Sequence, residues 1–146
     1  MAENKDYKST VGKRKAAVAR VRLYQTVKAG LMIGETPVKK GDIFVNGKKI
    51  EEYFKDRVSK AIYEEPFKIT NNLEKFAMTV KVSGGGTRSQ LEAVVHGVSR
   101  ALSAIDEKNK HILKKSGFLT RDSRVRERRK VGMGGKSRRK RQSPKR

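Results

Sequence analysis

The sequence predicts an α+β fold, a two-layer sandwich of a small sheet backed by helices, followed by a long extended basic C-terminal tail. Segments with the two-residue period of strands alternate with segments of helical period. Glycine-containing stretches separate these segments, and large apolar residues become rare after Leu119. We therefore expect a flexible N-terminus at residues 1–10, a globular body at 11–116 and an extended tail at 117–146.

Three strands are predicted, each from its side-chain pattern. Residues 17–24 place four apolar side chains on one face and Arg20 and Arg22 on the other, which indicates a half-buried strand with a basic outer side. Residues 43–45 are apolar and precede an Asn-Gly pair, a signal for a tight turn. Residues 76–82 alternate in the same period and predict the third strand.

Helices are predicted between and after these strands. Residues 51–65 carry an apolar stripe, and Pro66 is expected to end that helix. Apolar residues recur at helical spacing over 91–105, which predicts a core helix, and a shorter basic helix follows over 108–115. The connection at 25–42 contains three glycines and one proline, and predicts a long hairpin or loop.

The charge is large and unevenly distributed. The chain has 37 Lys+Arg and 15 Asp+Glu, a net charge of +22, and residues 117–146 contribute 13 of the basic and two of the acidic residues, which is half of that net charge. Such a charge opposes compaction unless a polyanion compensates it, and nucleic acid is the commonest polyanion. An anionic membrane is disfavoured, because no helix combines a basic face with a wide apolar face.

Features missing from the sequence disfavour other functions. The chain has no cysteine, which removes disulfides, thiolate nucleophiles and cysteine-type zinc sites. His96 and His111 have no neighbouring nucleophile or second ligand, and Asp122 and Glu127 are isolated acids among arginines. We therefore expect no catalytic site, cofactor, metal or small-molecule substrate. The polar N-terminus and the lack of a membrane-length apolar run favour a cytoplasmic protein.

Two features of the body have both a functional and a structural interpretation. Lys13, Arg14 and Lys15, together with Arg20 and Arg22, would form a continuous basic strip, either for RNA phosphates or as a charged guard on a solvated strand edge. The segment Gly84–Gln90 could hold a backbone phosphate at a helix N-terminus. However, it lacks the Lys-Ser/Thr of a P-loop, so a tight turn with a helix cap is favoured.

The tail carries the most specific signal. Extended at ~3.3 Å per residue, residues 121–146 would reach roughly 85 Å, far enough to thread grooves of a folded RNA. A nuclear-localisation or nonspecific adhesive tail is the alternative interpretation. The candidate RNA-binding cations are Arg121, Arg124, Arg128, Arg129, Lys130, Lys136, Arg138, Arg139, Lys140, Arg141, Lys145 and Arg146.

Four blocks of sequence, in this order, resemble the S9 family of small-subunit ribosomal proteins, of the bacterial type. The blocks are VGKRKAAVARVRLY, IFVNGKKIEEYF, GGGTRSQLEAVVHGVSRAL and LKKSGFLTRDSRVRERRKVG. The resemblance runs from about Val11 to the C-terminus, and its most specific part is Gly117–Asp122 followed by Glu127–Lys130.

The resemblance implies a structural role in the head of the small ribosomal subunit, with a left-handed strand–helix–strand crossover in the fold. It implies contacts with ribosomal RNA, neighbouring head proteins and P-site transfer RNA, in a cytoplasmic, ribosome-bound protein without a membrane partner. Thr120 and the basic residues named above, up to Arg141, would bind ribosomal RNA. Lys145 and Arg146 would contact phosphates of the transfer RNA anticodon stem-loop.

The chain departs from the family pattern at three places. It ends Gln-Ser-Pro-Lys-Arg, without the usual aromatic residue, it has Ser89 where Gly is usual, and its connection at 25–42 is longer. Two other functions stay as alternatives: the protein subunit of a ribonucleoprotein nuclease, whose Arg-Asn helix motif is absent here, and a DNA-architectural protein.

Overall fold

A computed structural model describes residues 7–25, 32–33 and 36–131 of the chain. In chain order the elements are β1 Tyr7–Arg14, β2 Ala17–Tyr24, β3 Met32–Ile33, β4 Thr36–Pro37, β5 Ile43–Val45, β6 Lys48–Lys49, α1 Ile50–Tyr53, α2 Arg57–Ile69, β7 Ala77–Ser83, α3 Thr87–Ile105 and α4 Glu107–Lys115. Within those residues, no helix is long and apolar enough to cross a membrane.

The sheet confirms the predicted α+β class. Five strands run in the order β1-β2-β7-β5-β6, and β3 pairs with β4 as a separate short hairpin inside the long 25–42 connection. Neighbours in the large sheet are antiparallel except β5 and β7, which are parallel. The chain between these two passes through α1 and α2, so a crossover connection joins adjacent parallel strands.

One face of the sheet is covered by helices and carries the core. Alternate side chains of β2 and β7, from Ala17 to Leu23 and from Met78 to Val82, are buried against α3 and its neighbours. The predicted core helix and the predicted basic helix are both confirmed, and Asp106 separates them by capping α4 through Lys108 N–H. On the opposite face of the sheet, Val38 of the 25–42 connection forms a smaller apolar cluster with Phe44, Ala77 and Tyr24.

Strand β1 was not predicted from the sequence, where its last residues were taken as a cluster ahead of the first strand. It begins at Tyr7 and pairs with the whole of β2. Its inner face holds small and polar groups: a Cβ on Gly12 would lie 1.9 Å from the Ala93 carbonyl oxygen, and the Thr10 hydroxyl donates to the Gly97 carbonyl at 2.7 Å. Close backbone packing thus replaces the apolar alternation that would have signalled a strand.

The prediction that Pro66 ends a helix is wrong. The predicted single helix is divided into α1 and α2, with Asp56 capping α2 at the Val58 N–H, and α2 continues past Pro66 to Ile69. Pro66 is fully buried, and its carbonyl oxygen accepts from both the backbone N–H and the hydroxyl of Thr70. Burial of the ring and the two bonds from Thr70 stabilise the end of the helix around Pro66.

Candidate nucleic-acid interface

The face of the sheet away from the helices is basic and open. We call it the outer sheet face. Its polar, charged and aromatic residues are Tyr7, Ser9, Lys13, Arg20, Arg22, Tyr24, Thr79 and Lys81, and Val11 and Val18 lie on the same face. Strand alternation places these side chains opposite the buried set, and Arg20, Arg22 and Lys81 are exposed. A cleft lies on this face, and none of the residues that line it is acidic.

Two cations of the outer sheet face stand directly opposite each other. Arg20 on β2 pairs in register with Lys81 on β7. Like charges at directly opposed positions of an antiparallel pair destabilise it. No ion pair between described residues includes either side chain. This part of the face therefore carries positive charge that the described protein does not neutralise.

An aromatic pair borders this charge. The rings of Tyr7 and Tyr24 lie 5.5 Å apart at a tilt of 54°, and the guanidinium carbon of Arg22 lies 5.2 Å from the Tyr7 ring centroid. Tyr24 also packs against a second apolar cluster on this side of the sheet. The cation–π contact holds the guanidinium beside the rings while the side chain stays exposed.

The other basic region is where the tail leaves the body. We call it the tail root, residues 117–124. Gly117, at φ +81°, ends α4 in a Schellman motif, in which the Phe118 N–H donates to the Leu113 carbonyl and the Gly117 N–H to that of Lys114. Phe118 and Leu119 then pack against the core. This explains structurally why the Gly-Phe-Leu block stands at this point of the sequence.

Arg14 ties the tail root to the body. Its Nε lies 2.7 Å from Glu92 Oε2 on α3, its Nη2 lies 3.0 Å from Asp122 Oδ2, and its Nη1 donates to the Arg124 carbonyl at 2.9 Å. Only 14% of the Arg14 side chain is exposed. The guanidinium thus joins a helix carboxylate to two residues of the tail root.

The carboxylates of this network have lowered pKa values. Hydrogen bonds from the side chain and the backbone N–H of Arg124 hold the pKa of Asp122 far below its usual value, and Arg14 contributes. The pKa of Glu92 is lowered mainly by its hydrogen bond with Arg14 and also by Arg88. Both groups are therefore charged at neutral pH, and they compensate the arginines around them.

His96 lies beneath the tail root as a packed histidine. Its Nδ1 is 3.5 Å from the Lys13 backbone nitrogen, which donates to it. Burial lowers the pKa of His96, and the nearby charge of Arg100 lowers it further, while a hydrogen bond with the Leu119 backbone opposes the shift. A neutral imidazole here connects the end of β1 to the tail root.

The predicted basic strip is divided by the fold. Lys13 lies on the outer side with Arg20 and Arg22, whereas Arg14 turns toward α3, because neighbouring strand residues point to opposite faces. Lys15 is exposed in the β1–β2 turn at φ 51°. The strip is therefore not continuous.

The described part of the tail is exposed and extends without helix or strand. Thr120 and Arg121 lie at its start. Arg124, Arg128, Arg129 and Lys130 follow. The candidate residues that lie outside the described part of the chain are Lys136, Arg138, Arg139, Lys140, Arg141, Lys145 and Arg146.

The glycine segment before α3 serves as a tight turn. Gly84 and Gly85 have φ values of +73° and +65° and lie against Ala16 and Ala17 of the β1–β2 turn. The Gln90 side chain donates to the Gly84 carbonyl at 3.0 Å, which braces the turn from α3. The predicted tight turn is confirmed, and Gly86 stands at the N-cap of α3 without a side-chain cap hydrogen bond.

Sequence reasoning did not include Lys81 and Tyr7 among the candidate residues, although the structure places both on the outer sheet face. Lys81 could have been found, because it alternates with Met78, Val80 and Val82 and must point away from the core. Tyr7 could not, since its strand was not recognised. Within the described chain, no group of His, Cys, Asp or Glu is placed to hold a metal ion.

Comparison with known proteins gives the family. The family described as "Ribosomal protein S9/S16" matches residues 12–146. The chain is 43% identical over 132 residues to "Small ribosomal subunit protein uS9" of Maridesulfovibrio salexigens, which covers 90% of this chain and 92% of that protein. It is 41% identical over 126 residues to the protein of the same name in Anaeromyxobacter sp. strain K, covering 86% and 87%. The chain therefore belongs to the S9 family, a family of ribosomal proteins and not of enzymes.

Proposed function

We propose that the chain is a structural constituent of the head of the small ribosomal subunit, where it binds ribosomal RNA and steadies transfer RNA in the P site. Its relatives are named as small-subunit proteins, and their similarity extends over most of the chain. The proposal places the protein on cytoplasmic ribosomes beside neighbouring proteins of the head. It also includes a left-handed connection between β5 and β7, which the family resemblance implies.

The observation that carries the RNA-binding part is the uncompensated charge of the outer sheet face. Arg20 faces Lys81 without a carboxylate among the described residues that line the cleft. A phosphate backbone would remove this repulsion and release counterions on binding. We assign Arg20, Arg22, Lys13 and Lys15 to ribosomal RNA, and give Arg14 a supporting role because two carboxylates already hold its guanidinium.

The tail is proposed to follow RNA away from the body. The family match continues to residue 146, so the tail belongs to the part of the sequence that resembles the family. Its described section is exposed and cationic. Thr120, Arg121, Arg124 and the residues from Arg128 to Arg141 would bind ribosomal RNA, and Lys145 and Arg146 would meet phosphates of the P-site anticodon stem-loop.

Truncation of the last two residues tests this assignment. Removing Lys145 and Arg146 keeps every residue of the body and of the tail root, so we expect the protein still to comigrate with small subunits in a sucrose gradient. We expect P-site transfer RNA to bind these subunits about tenfold more weakly, because two phosphate contacts are lost. Substituting Lys108 and Lys110 on α4 by Gln is the matched control. Recovery of the protein only in free form, or equal loss of assembly and transfer RNA binding, would contradict the proposal.

A further inference from the structure

We propose that the outer sheet face is a platform for an unpaired segment of RNA, with a phosphate between Arg20 and Lys81 and a base against Arg22 and Tyr7. This inference rests on the proposed function in RNA binding and specifies the kind of RNA that this face takes. It adds Lys81 and the aromatic pair to the interface.

The first step is the geometry of the phosphate position. Directly opposed residues of an antiparallel pair have Cβ atoms about 4.5–5.5 Å apart, so the Arg20 and Lys81 side chains leave the sheet side by side. Both are exposed, and both line the same cleft. One phosphate placed there contacts both cations and turns a repulsive pair into two attractive contacts.

The second step is the stacking position. In register, Ser9, Arg22 and Thr79 form one row across β1, β2 and β7, next to the row that contains Arg20 and Lys81. Arg22 is exposed and held beside the Tyr7 ring at 5.2 Å. Unpaired bases stack on guanidinium planes and on aromatic rings, and the hydroxyls of Ser9 and Thr79 offer hydrogen bonds to base edges or to a 2′-hydroxyl.

The third step is the width of the cleft. Three strands spaced about 4.8 Å apart give a floor that accommodates one nucleic-acid backbone. Asn46 lines one side of the cleft. Its side-chain Nδ2 donates to the Val82 carbonyl at 3.0 Å, and its Oδ1 accepts from the Val82 N–H at 2.9 Å. In a duplex the base faces are stacked inside and cannot reach Arg22. The three-strand floor and the stacking position together favour single-stranded RNA.

Binding of two short RNA probes to the full-length protein tests the inference. A fluorescent oligouridine and an RNA duplex of the same length are titrated over a salt series. For Arg20→Gln with Lys81→Gln, the slope of log affinity against log salt for oligouridine should fall by about 0.7, the value for one phosphate of a single strand that is no longer neutralised. The slope for the duplex should not change. The tail is the same in every variant, so its contribution cancels.

A matched control removes the same charge elsewhere on the body. Lys75 and Lys108 are exposed and lie off the outer sheet face, so Lys75→Gln with Lys108→Gln should keep the wild-type slopes. Equal slopes for the two double variants, or a larger loss with the duplex than with oligouridine, would overturn the platform. If wild-type protein does not prefer ribosomal RNA to a simple polyanion, the proposed function itself fails.

The stacking position has its own test. Tyr7→Leu keeps an apolar side chain at the end of β1 and removes the ring beneath Arg22, and should weaken oligouridine binding about tenfold at constant salt. Oligonucleotides with 4-thiouridine should crosslink to the peptide that contains residues 7–13. Crosslinks confined to the tail, or unchanged affinity of a Tyr7→Leu protein with wild-type circular dichroism, would overturn the stacking assignment.

Discussion

The outer sheet face and the tail root are both rich in arginine, yet they differ in what neutralises the charge. At the tail root, Arg14 contacts Glu92 and Asp122, and the pKa values of both carboxylates are lowered. On the outer sheet face, Arg20 stands opposite Lys81 with no acidic residue lining the cleft. One region has its counter-charge inside the described protein, whereas no acidic residue lines the cleft of the other.

This difference separates arginines that stabilise the fold from arginines that we propose to bind RNA. Arg14 and Arg20 lie six positions apart in the printed sequence and in adjacent strands. Their strand faces decide their roles: Arg14 points to α3 and is largely buried, while Arg20 points away from the helices and is exposed. A basic cluster in a sequence therefore contains two populations, and only the strand register divides them.

The largest expected effect comes from Gly12→Ala, which disturbs both regions at once. The added Cβ would meet the Ala93 carbonyl oxygen at 1.9 Å and the Gly97 nitrogen at 2.4 Å, so β1 must move away from α3. We expect a loss of about 3 kcal/mol in the free energy of unfolding, measured with urea. Gly86→Ala is the control, because its Cβ meets nothing within 4 Å and its φ is negative. Equal stability of the two variants would show that β1 does not pack closely on α3.

A smaller effect, confined to the tail root, is expected from Arg14→Met. Glu92 and Asp122 lose a shared partner that is largely buried, which should lower the free energy of unfolding by roughly 1–3 kcal/mol. The matched Arg20→Met removes the same charge from the outer sheet face and should change stability by less than about 0.5 kcal/mol. The order should reverse for oligouridine binding, which Arg20→Met weakens more. The same order in both measurements would remove the distinction between the two regions.

The sequence predicted the elements whose packing is apolar and regular. Strands β2, β5 and β7 and helices α3 and α4 were found, because the buried side chains of each recur at the period of a strand or a helix. The exposed position of Arg20 and Arg22 followed from the same alternation in β2.

The features that the sequence did not predict depend on contacts between distant parts of the chain. Strand β1 was missed because Gly12 fits against Gly97, and Pro66 was misread because tertiary burial and Thr70 support the helix around it. The internal role of Arg14 was equally hidden, since its partner Glu92 lies 78 positions away. No local pattern encodes these contacts.

The smallest expected effect is a pH dependence from His96 that should affect the tail root more than the outer sheet face. In the fold its pKa is lowered from 6.5, chiefly by burial, so the unfolded chain binds more protons as the pH falls below about 6.5. Stability should therefore decrease from about pH 6.5 towards pH 5. The pKa values of Glu92 and Asp122 are lowered, so these carboxylates change the free energy of unfolding only in more acidic solution. The charged or polar groups near the ring are the Lys13 backbone, Glu92, Arg100, Arg121, Asp122 and the Leu119 backbone.

Urea titrations at a series of pH values between about 5 and 7.5 measure this dependence. His96→Gln removes the titrating group and should flatten the profile in this window, whereas His111→Gln, on the exposed surface of α4, should keep it. If the profile of His96→Gln matches that of the wild type, the ring is not held neutral by its burial. In the wild type, low pH should destabilise the tail root most. Protonated His96 can no longer accept a hydrogen bond from the Lys13 N–H, and its positive charge lies near Arg100 and Arg121. Hydrogen exchange at residues 118–124 should therefore rise at low pH, while exchange of the β2–β7 pair should rise less, since none of its hydrogen bonds involves His96.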